Sequence, residues 1–542
     1  MTLQLPPPDT DGGAWLIRTS LPLLQEDPQD CPRGNALRAR PLIEQAPERS
    51  RGKPIEDFSL APVMNALDAI ELDGVDAAEA LRRIGRNRKY HPSHVRWTHK
   101  AVQNYLSARE KAEMGRVASG RPKTVAVREE WTSITNLRTP AAHGATRYER
   151  TAWGRRYASA DGSERELWLL SVNVLKEDRP PAVIAEAASV VATGAPSGSA
   201  FREPHHPVPG NTVLPDRVRI VGVGCGDGEH TVLADWDARE VAQKFSRDAK
   251  PALGRVIADD RLNPGSSCTR CEALLGCEQP PRVHGLLGVP GPRRPRKRRS
   301  VSATDLRMHT RCPALFHLTR VLHLRSAAPE SPAIRRGRAV DDWLNQRHRQ
   351  GRCRGVTLPD ALPGLADEEQ ATALAMLAQH VRACPLDGLA PGEEVLVQKR
   401  LTAYDPELDV LIIADPDLLY TRFGGWIWHE TKTTTRPPWE GEELLQTYPQ
   451  LALAVLLMSA DVPGGDPRRS RIELELLLED TSWREVIDAG EPDTQAEARQ
   501  IIAGMAGPWA VDEAYEPKPG KHCGGCEMLG LCDAGQAHMK AG

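Results

Sequence analysis

The 542-residue sequence predicts an α/β protein in which one architecture is built twice. Three observations carry this. Each half holds a Cys-Pro pair near its start, Cys31-Pro32 and Cys312-Pro313. Each closes on Pro-Gly-x-x-Cys-x-x-Cys-Glu-x4-Cys, at Pro264–Cys277 and Pro519–Cys532. Between pair and closure the segments correspond: Arg219-Ile220 stands before Cys268 much as Arg471-Ile472 stands before Cys523, and Glu129-Glu-Trp matches Glu393-Glu-Val. A pattern of this length met twice marks an internal duplication. The chain is also too long for one ordinary core. The expected division is a loose segment over 1–13, a first domain over 14–280, a basic Pro/Arg-rich linker over 281–301 and a second domain over 302–542.

Composition narrows the classes. Net charge is −3, so a surface for nucleic acid must be local rather than global. The longest apolar run, Leu451–Met458, is too short to span a bilayer. The N-terminus lacks a basic segment followed by an apolar one, which predicts no secretory leader and a cytoplasmic protein with no membrane partner.

In chain order, Pro-Pro-Pro and Asp-Gly-Gly make residues 1–13 poor core formers. Apolar spacing predicts helices over Val75–Ile84 and Trp97–Ala112. Strands follow at Glu129–Ile134, Tyr148–Tyr157 and Glu166–Val172, with an Asp161-Gly162 turn between the last two. A helix over Ala182–Val191 and a strand over Arg217–Val223 complete the first half. The run Arg293–Arg299 is either a contact for phosphates or a soluble tether. Ser302-x-x-Asp305 has capping-box spacing and starts a helix that Cys312-Pro313 ends. Helices over Ala314–Leu322, Arg338–Arg349 and Glu368–Ala383 lead to a strand over Glu394–Leu401. After the stretch described next come a helix over Leu444–Met458, a strand over Arg471–Leu478 and a helix over Thr494–Met505.

That stretch is Asp409–Lys432, two short strands around a Gly-Gly turn. Alternation along a strand puts Trp426, Trp428, Glu430 and Lys432 on one face and Ile427, His429 and Thr431 on the other. Asp417, at the end of an apolar run, can be brought beside Glu430 by a neighbouring strand. Two carboxylates and an ammonium would then converge. Such a set suits a hard divalent cation, which lowers the pKa of a bound water and stabilises charge on a phosphodiester. The ammonium would orient that water or neutralise developing charge. From spacing alone a solvated hairpin with three ordinary charges fits equally well. In the first half, Gly154–Val172 is the counterpart, with Tyr157 near the place of Asp417 and Leu170-Ser-Val172 facing the place of Glu-Thr-Lys, so that copy is expected to be inert.

Eight of the eleven cysteines form two quartets: Cys31, Cys268, Cys271 and Cys277, then Cys312, Cys523, Cys526 and Cys532. Four thiolates suffice for a [4Fe-4S] cluster or a tetrahedral zinc ion, and either would staple the two ends of its half together. Cys225, Cys353 and Cys384 are left over and read as small buried apolar groups.

Residues 302–542 resemble the RecB-type PD-(D/E)XK nucleases, in the iron-sulfur branch that includes AddB and the four-cysteine CRISPR-associated nucleases. The motifs are the opening Val301–Pro313 helix with its Cys-Pro, Ala-Asp-Pro-Asp417, Glu430-Thr-Lys432, Tyr448-Pro-Gln450-Leu-Ala-Leu-Ala, and the four cysteines from Cys312 to Cys532. The resemblance implies a restriction-endonuclease-like mixed sheet flanked by helices, here in tandem. It implies hydrolysis of DNA phosphodiesters, on single strands or ends, with Mg2+ or Mn2+ held by Asp341, Asp417 and Glu430. Lys432 would act on the water, Gln450 would position substrate, and one or two [4Fe-4S] clusters would be present. The partners implied are DNA and a helicase or other DNA-processing protein. No Gly-x4-Gly-Lys-Ser/Thr occurs, so the motor would be a separate protein. The sequence departs from the family at two points: Asp341 stands where Gly-x-x-x-His is usual, and Ala454 stands where a tyrosine follows the glutamine. The competing reading is a non-catalytic DNA-binding scaffold, or a zinc-stapled interaction module.

Overall fold

The computed structural model describes all residues except 1–5, 14, 26, 46–54, 142–143, 199–202, 211–212, 292–295, 326–329, 440 and 542. Part of the N-terminal stretch and Arg293-Arg294 of the basic run therefore lie outside the described residues. The chain divides into two compact units. One is Met1–Gln279 with Cys312–Ser326 and Glu513–Gly542; the other is Pro280–Arg311 with Ala327–Asp512. Both cysteine quartets thus fall in the first unit, a grouping that linear halves do not suggest.

The first unit holds a five-stranded sheet of β1 (Thr124–Ala126), β2 (Arg155–Ser159), β3 (Glu164–Ser171), β4 (Arg217–Gly224) and β5 (His230–Asp237), in the order β5-β4-β3-β2-β1. Only β3 and β4 run parallel. Their crossover carries helix α1 (Pro181–Thr193), whose Val183, Ala187, Val190 and Val191 pack into the core with Leu167, Leu169 and Ile220. Beside it, Leu16–Ser20 pairs parallel with Arg147–Thr151, which pairs antiparallel with Glu130–Asn136. Thr10-Asp11, in the stretch expected to be loose, pair with Ile43-Glu44. Tyr157 is buried and hydrogen-bonded to Glu71 at 2.6 Å and Tyr105 at 2.7 Å.

This unit also holds a buried ion cluster whose charge state depends on pH. Glu149, fully buried, accepts from Arg18 at 2.7 Å, Arg147 at 2.7 Å and His205 Nδ1 at 2.9 Å. Burial alone would raise its pKa, but the His205, Arg18 and Arg147 bonds outweigh burial and hold it at about 2. A depressed carboxylate stabilises the fold above its unfolded pKa of about 4.3 and loses that contribution as pH falls toward 2, a term of roughly 3 kcal/mol. His205, raised by Glu130 and Glu149, acts on the opposite limb: its contribution is complete below about pH 6.5 and is lost above. Glu149→Gln is expected to flatten the dependence of urea-unfolding stability on pH between about 4.5 and 2. An unchanged acid limb would show that the cluster does not govern it.

In the second unit, period-two alternation becomes a central strand covered on both faces. Strands β6 (Val395–Val397), β7 (Leu418–Arg422), β8 (Gly425–Thr433), β9 (Arg471–Leu477) and β10 (Ser482–Asp488) form a sheet ordered β10-β9-β8-β7-β6. Only β8 and β9 are parallel, so its order and strand senses repeat those of the first unit's sheet. Helices α2 (Pro332–Gln350) and α3 (Asp367–Ala383) precede the sheet, and α4 (Pro449–Ser459) makes the β8–β9 crossover. The helix expected over Leu444–Met458 is interrupted at Tyr448, which takes non-helical backbone (φ −123, ψ 76) because a residue before proline avoids the helical region. Arg299–Val301 pairs parallel with Val410–Ala414, itself antiparallel to Leu401–Asp405.

Two local differences from the sequence reading have clear causes. The hairpin loop is Phe423-Gly424, both with positive φ, which is type I′ geometry; Gly425 already belongs to β8. A Cβ at Gly425 would sit 2.5 Å from the Arg469 backbone, so this glycine serves close approach rather than the turn. The basic run is not a free tether over its described part: Arg298 pairs with Asp409 at 2.7 Å, and Arg299 stacks 3.7 Å over Trp509 and donates to the Ala510 carbonyl.

Candidate active site

The β7–β8 hairpin and helix α2 bring the acidic residues together. Asp417 directly precedes β7, and its Oδ2 accepts from the Thr431 backbone N–H at 2.8 Å, which locks the carboxylate against β8. Its own carbonyl accepts from Gln398 N–H at 3.1 Å. Glu430, 5% exposed, takes a hydrogen bond from Trp428 Nε1 at 3.0 Å on Oε1 and from Lys432 Nζ at 2.8 Å on Oε2. Trp428, Glu430 and Lys432 therefore share a face, as alternation requires. Lys432 Nζ also lies 3.5 Å from Asp417 Oδ2 and donates to the Thr431 carbonyl at 3.1 Å.

Asp341 comes from α2, half-buried, with Gln398 Nε2 donating to its Oδ2 at 3.4 Å and Asn345 beside it one helical turn on. Gly337, a turn earlier, explains how the helix gets so close. A Cβ there would meet Thr433 Oγ1 at 3.1 Å, tighter than ordinary contact. Gly337→Val is expected to push α2 off β8, to cost about 1–3 kcal/mol of stability, and to weaken any divalent-cation dependence of activity. Denaturant titration and a metal titration of activity check this; wild-type values in both would show that Gly337 does not set the approach of α2 to β8.

The electrostatics show what the cluster lacks. Burial, then the Glu430 charge, pushes Asp417 up to about 7 despite the opposing Lys432 ammonium. Asp341 is raised as well, by burial first, with Asp342 and Glu430 adding to it and Lys432 and Asn345 opposing. Burial would lower Lys432, but Glu430, Asp417 and Asp341 outweigh it and hold the ammonium above its ordinary range. Among the described residues, three carboxylates with Lys432 as the compensating cation carry excess negative charge in a half-buried place. A divalent ion with oxygen donors fits that deficit.

Gln450 lies half-buried in the first turn of α4. Two residues before it, Tyr448 is raised by burial and the Glu442 carboxylate and lowered by Arg436 and Lys432, which places its phenol within the field of Lys432. Sequence reading named Tyr448 only as part of the Gln450 motif and missed Asn345 and Gln398 in this neighbourhood. Asn345 alone had a signal, four residues after Asp341 on one helix face.

Each cysteine quartet converges within the first unit. The field at Cys271 includes the Cys268, Cys31 and Cys277 thiols, and that at Cys526 includes Cys312, Cys523 and Cys532. Backbone N–H groups point at the sulfurs: Gly34 to Cys31 at 3.4 Å, Gly265 to Cys268 at 3.5 Å, Lys518 to Cys312 at 3.5 Å, Gly520 to Cys523 at 3.5 Å and Gly535 to Cys532 at 3.3 Å. The first quartet also lines a cavity of ≈ 30 Å³. Thiols that receive amide donors and face a common centre fit a cluster or a metal ion.

A mixed sheet whose hairpin presents Asp417, Glu430 and Lys432, with Asp341 added from α2, has a donor set that suits a hard divalent ion and hydrolytic chemistry. Residues 300–533 match the family model of the PD-(D/E)XK nuclease superfamily, whose members are generally metal-dependent nucleases. No curated protein matches. Among solved structures, a chain described as "Crystal structure of SSO0001" aligns at 14% identity over 43% of this chain and 86% of that one, with a TM-score of 0.25. Among the described residues, no helix is long and apolar enough to cross a membrane.

Proposed function

We propose that residues 302–542 form a metal-dependent DNA nuclease acting on single-stranded or end-containing DNA. The observation that carries this is the convergence of Asp341, Asp417, Glu430 and Lys432 within the residues that match the nuclease superfamily. Asp341, Asp417 and Glu430 would hold Mg2+ or Mn2+, which supplies a water of lowered pKa and stabilises charge at the phosphorus. Lys432 orients that water and balances charge that develops in the transition state. Trp428 holds Glu430 in its rotamer, the Thr431 N–H does the same for Asp417, and Gln450 positions the substrate strand.

The two quartets are read as sites for [4Fe-4S] clusters in the manner of the AddB-like branch. The repeated strand order and senses of the two sheets support descent of both from one tandem duplication. The first copy is inert in this reading, because Leu170-Ser-Val172 at the end of the hairpin strand β3 stands where β8 offers Glu430-Thr-Lys432. Its role is scaffolding or DNA contact, and a separate helicase is the partner that would supply unwound strands.

The test is cleavage of end-labelled and of circular single-stranded DNA with Mg2+ or Mn2+, by full-length protein purified without oxygen. Metal-dependent cutting supports the reading, and cutting of circles reports an endonuclease. A folded, iron-loaded protein that cuts neither substrate would leave the DNA-binding scaffold as the function.

A further inference from the structure

Two of the three leftover cysteines do not behave as incidental core groups. Cys353 and Cys384 lie with His348 and His380 so that one ligand atom from each falls within 4.8 Å of all the others. All four are buried, with Cys353 and His380 fully so. The spacings are His348-x4-Cys353 at the end of α2 and His380-x3-Cys384 at the end of α3.

From this geometry we infer a tetrahedral Cys2His2 site for Zn2+, separate from both cysteine quartets and from the carboxylate cluster. The distances fit: with Zn–N of about 2.1 Å and Zn–S of about 2.3 Å, a tetrahedral shell puts N···N near 3.4 Å and N···S near 3.6 Å. His348 Nε2 lies 3.1 Å from His380 Nε2 and 3.7 Å from Cys384 Sγ. The donor types select the metal, because two thiolates with two imidazoles suit zinc and not the hard ions that prefer oxygen. Charge closes as well: the two thiols lose their protons on binding, and two thiolates neutralise one dication in a buried place.

The surroundings are those of a held ligand set. His380 Nδ1 donates to Glu475 Oε2 at 2.6 Å, which fixes the tautomer and leaves Nε2 a lone pair aimed at the centre. Glu475 is 1% exposed and also bonds His429 Nε2 at 3.3 Å, while His429 Nδ1 reaches Glu473 Oε2 at 3.1 Å. Tyr420 OH donates to the same Glu473 oxygen at 3.0 Å, and Arg484 lies 3.7 Å from Glu475. The bonds from the ligand His380 thus run through Glu475 to His429, the residue of β8 next to Glu430 but on the opposite face.

The site also has a position that matters. Asp341 and His348 are seven residues apart on α2, about two helical turns, and so lie on one face. A metal that ties the ends of α2 and α3 together holds Asp341 at a set distance from Glu430. This last consequence rests on the nuclease reading; the zinc site does not.

The experiment is metal analysis and zinc-edge X-ray absorption on full-length protein purified without oxygen and without chelator. The expected result is about one zinc per chain in a shell of two sulfurs and two nitrogens. Folded wild type without zinc overturns the site, as does an all-sulfur shell, which would place the zinc in a quartet. A Cys353–Cys384 disulfide in unreduced peptides overturns it too. Cys353→Ser with Cys384→Ser is expected to remove that zinc and leave iron unchanged; retained zinc counts against the site. If that pair fails to fold, the wild-type shell still decides. Loss of DNA cleavage on removing zinc at saturating Mg2+ would support the positioning role. A protein that never cuts DNA would leave the zinc result standing and remove only the nuclease reading.

Discussion

Lys432→Ala is expected to lower the rate of Mg2+-dependent DNA cleavage by about a thousandfold, roughly 4 kcal/mol of transition-state stabilisation, while leaving metal binding intact. The two effects separate because of where Nζ sits. It is 2.8 Å from Glu430 and 3.5 Å from Asp417, so in the resting site it neutralises the same oxygens a divalent ion would use. Removing it leaves more negative charge for the ion, and the Mg2+ concentration for half-maximal activity is expected to stay the same or fall. The reaction loses the ammonium that works beside the metal to meet charge developing on water and phosphate. Glu430→Gln should behave differently. It removes a ligand charge and the acceptor of both Lys432 and Trp428, so the Mg2+ requirement should rise along with the loss of rate. Rates measured across a metal titration distinguish the pair. Wild-type turnover by Lys432→Ala, or a raised Mg2+ requirement in it, would refute the assigned role.

How much of this was legible in the sequence depended on whether the information was local. Alternation along one strand is local, which is why Trp428, Glu430 and Lys432 could be put on one face before any fold was known, and why Asp417 could be set opposite them. The cysteine quartets were legible because their spacing repeats. The Gly-Gly turn was misplaced by one residue because the need for Gly425 comes from Arg469, more than forty positions away. The same limit hid the Cys2His2 group: each His-Cys pair marks one helix end, and only the packing of α2 against α3 joins them. Nor could linear order show that Cys312–Ser326 and Glu513–Gly542 group with the first unit, since that is decided by packing. Asp341 was placed by resemblance, and Gly337 shows in physical terms why that helix approaches the sheet so closely.

Cys312→Ser should have the largest effect on stability. In the proposed reading it removes about four iron atoms per chain and the corresponding visible absorption, since a [4Fe-4S] cluster needs all four thiolates to be retained firmly. The structural loss follows from chain length. Cys312 lies over two hundred residues from Cys523, and a cross-link that closes so long a loop constrains the unfolded chain by about 5 kcal/mol on the entropic estimate. Few domains have more than about 5–15 kcal/mol in total, so the thermal midpoint should fall steeply. Within the first unit the change should be felt at the thiols' own neighbours, the Lys518, Gly520 and Gly535 N–H groups that point at sulfur. Those amides should lose hydrogen-exchange protection, while β8 and β9, which belong to the other unit, should keep it. Cys31→Ser makes the parallel statement for the first quartet, with Gly34 and Gly265 as the reporters. Unchanged iron, midpoint and exchange in Cys312→Ser would mean that the quartet holds no cluster and that the fold is secured by its packing alone.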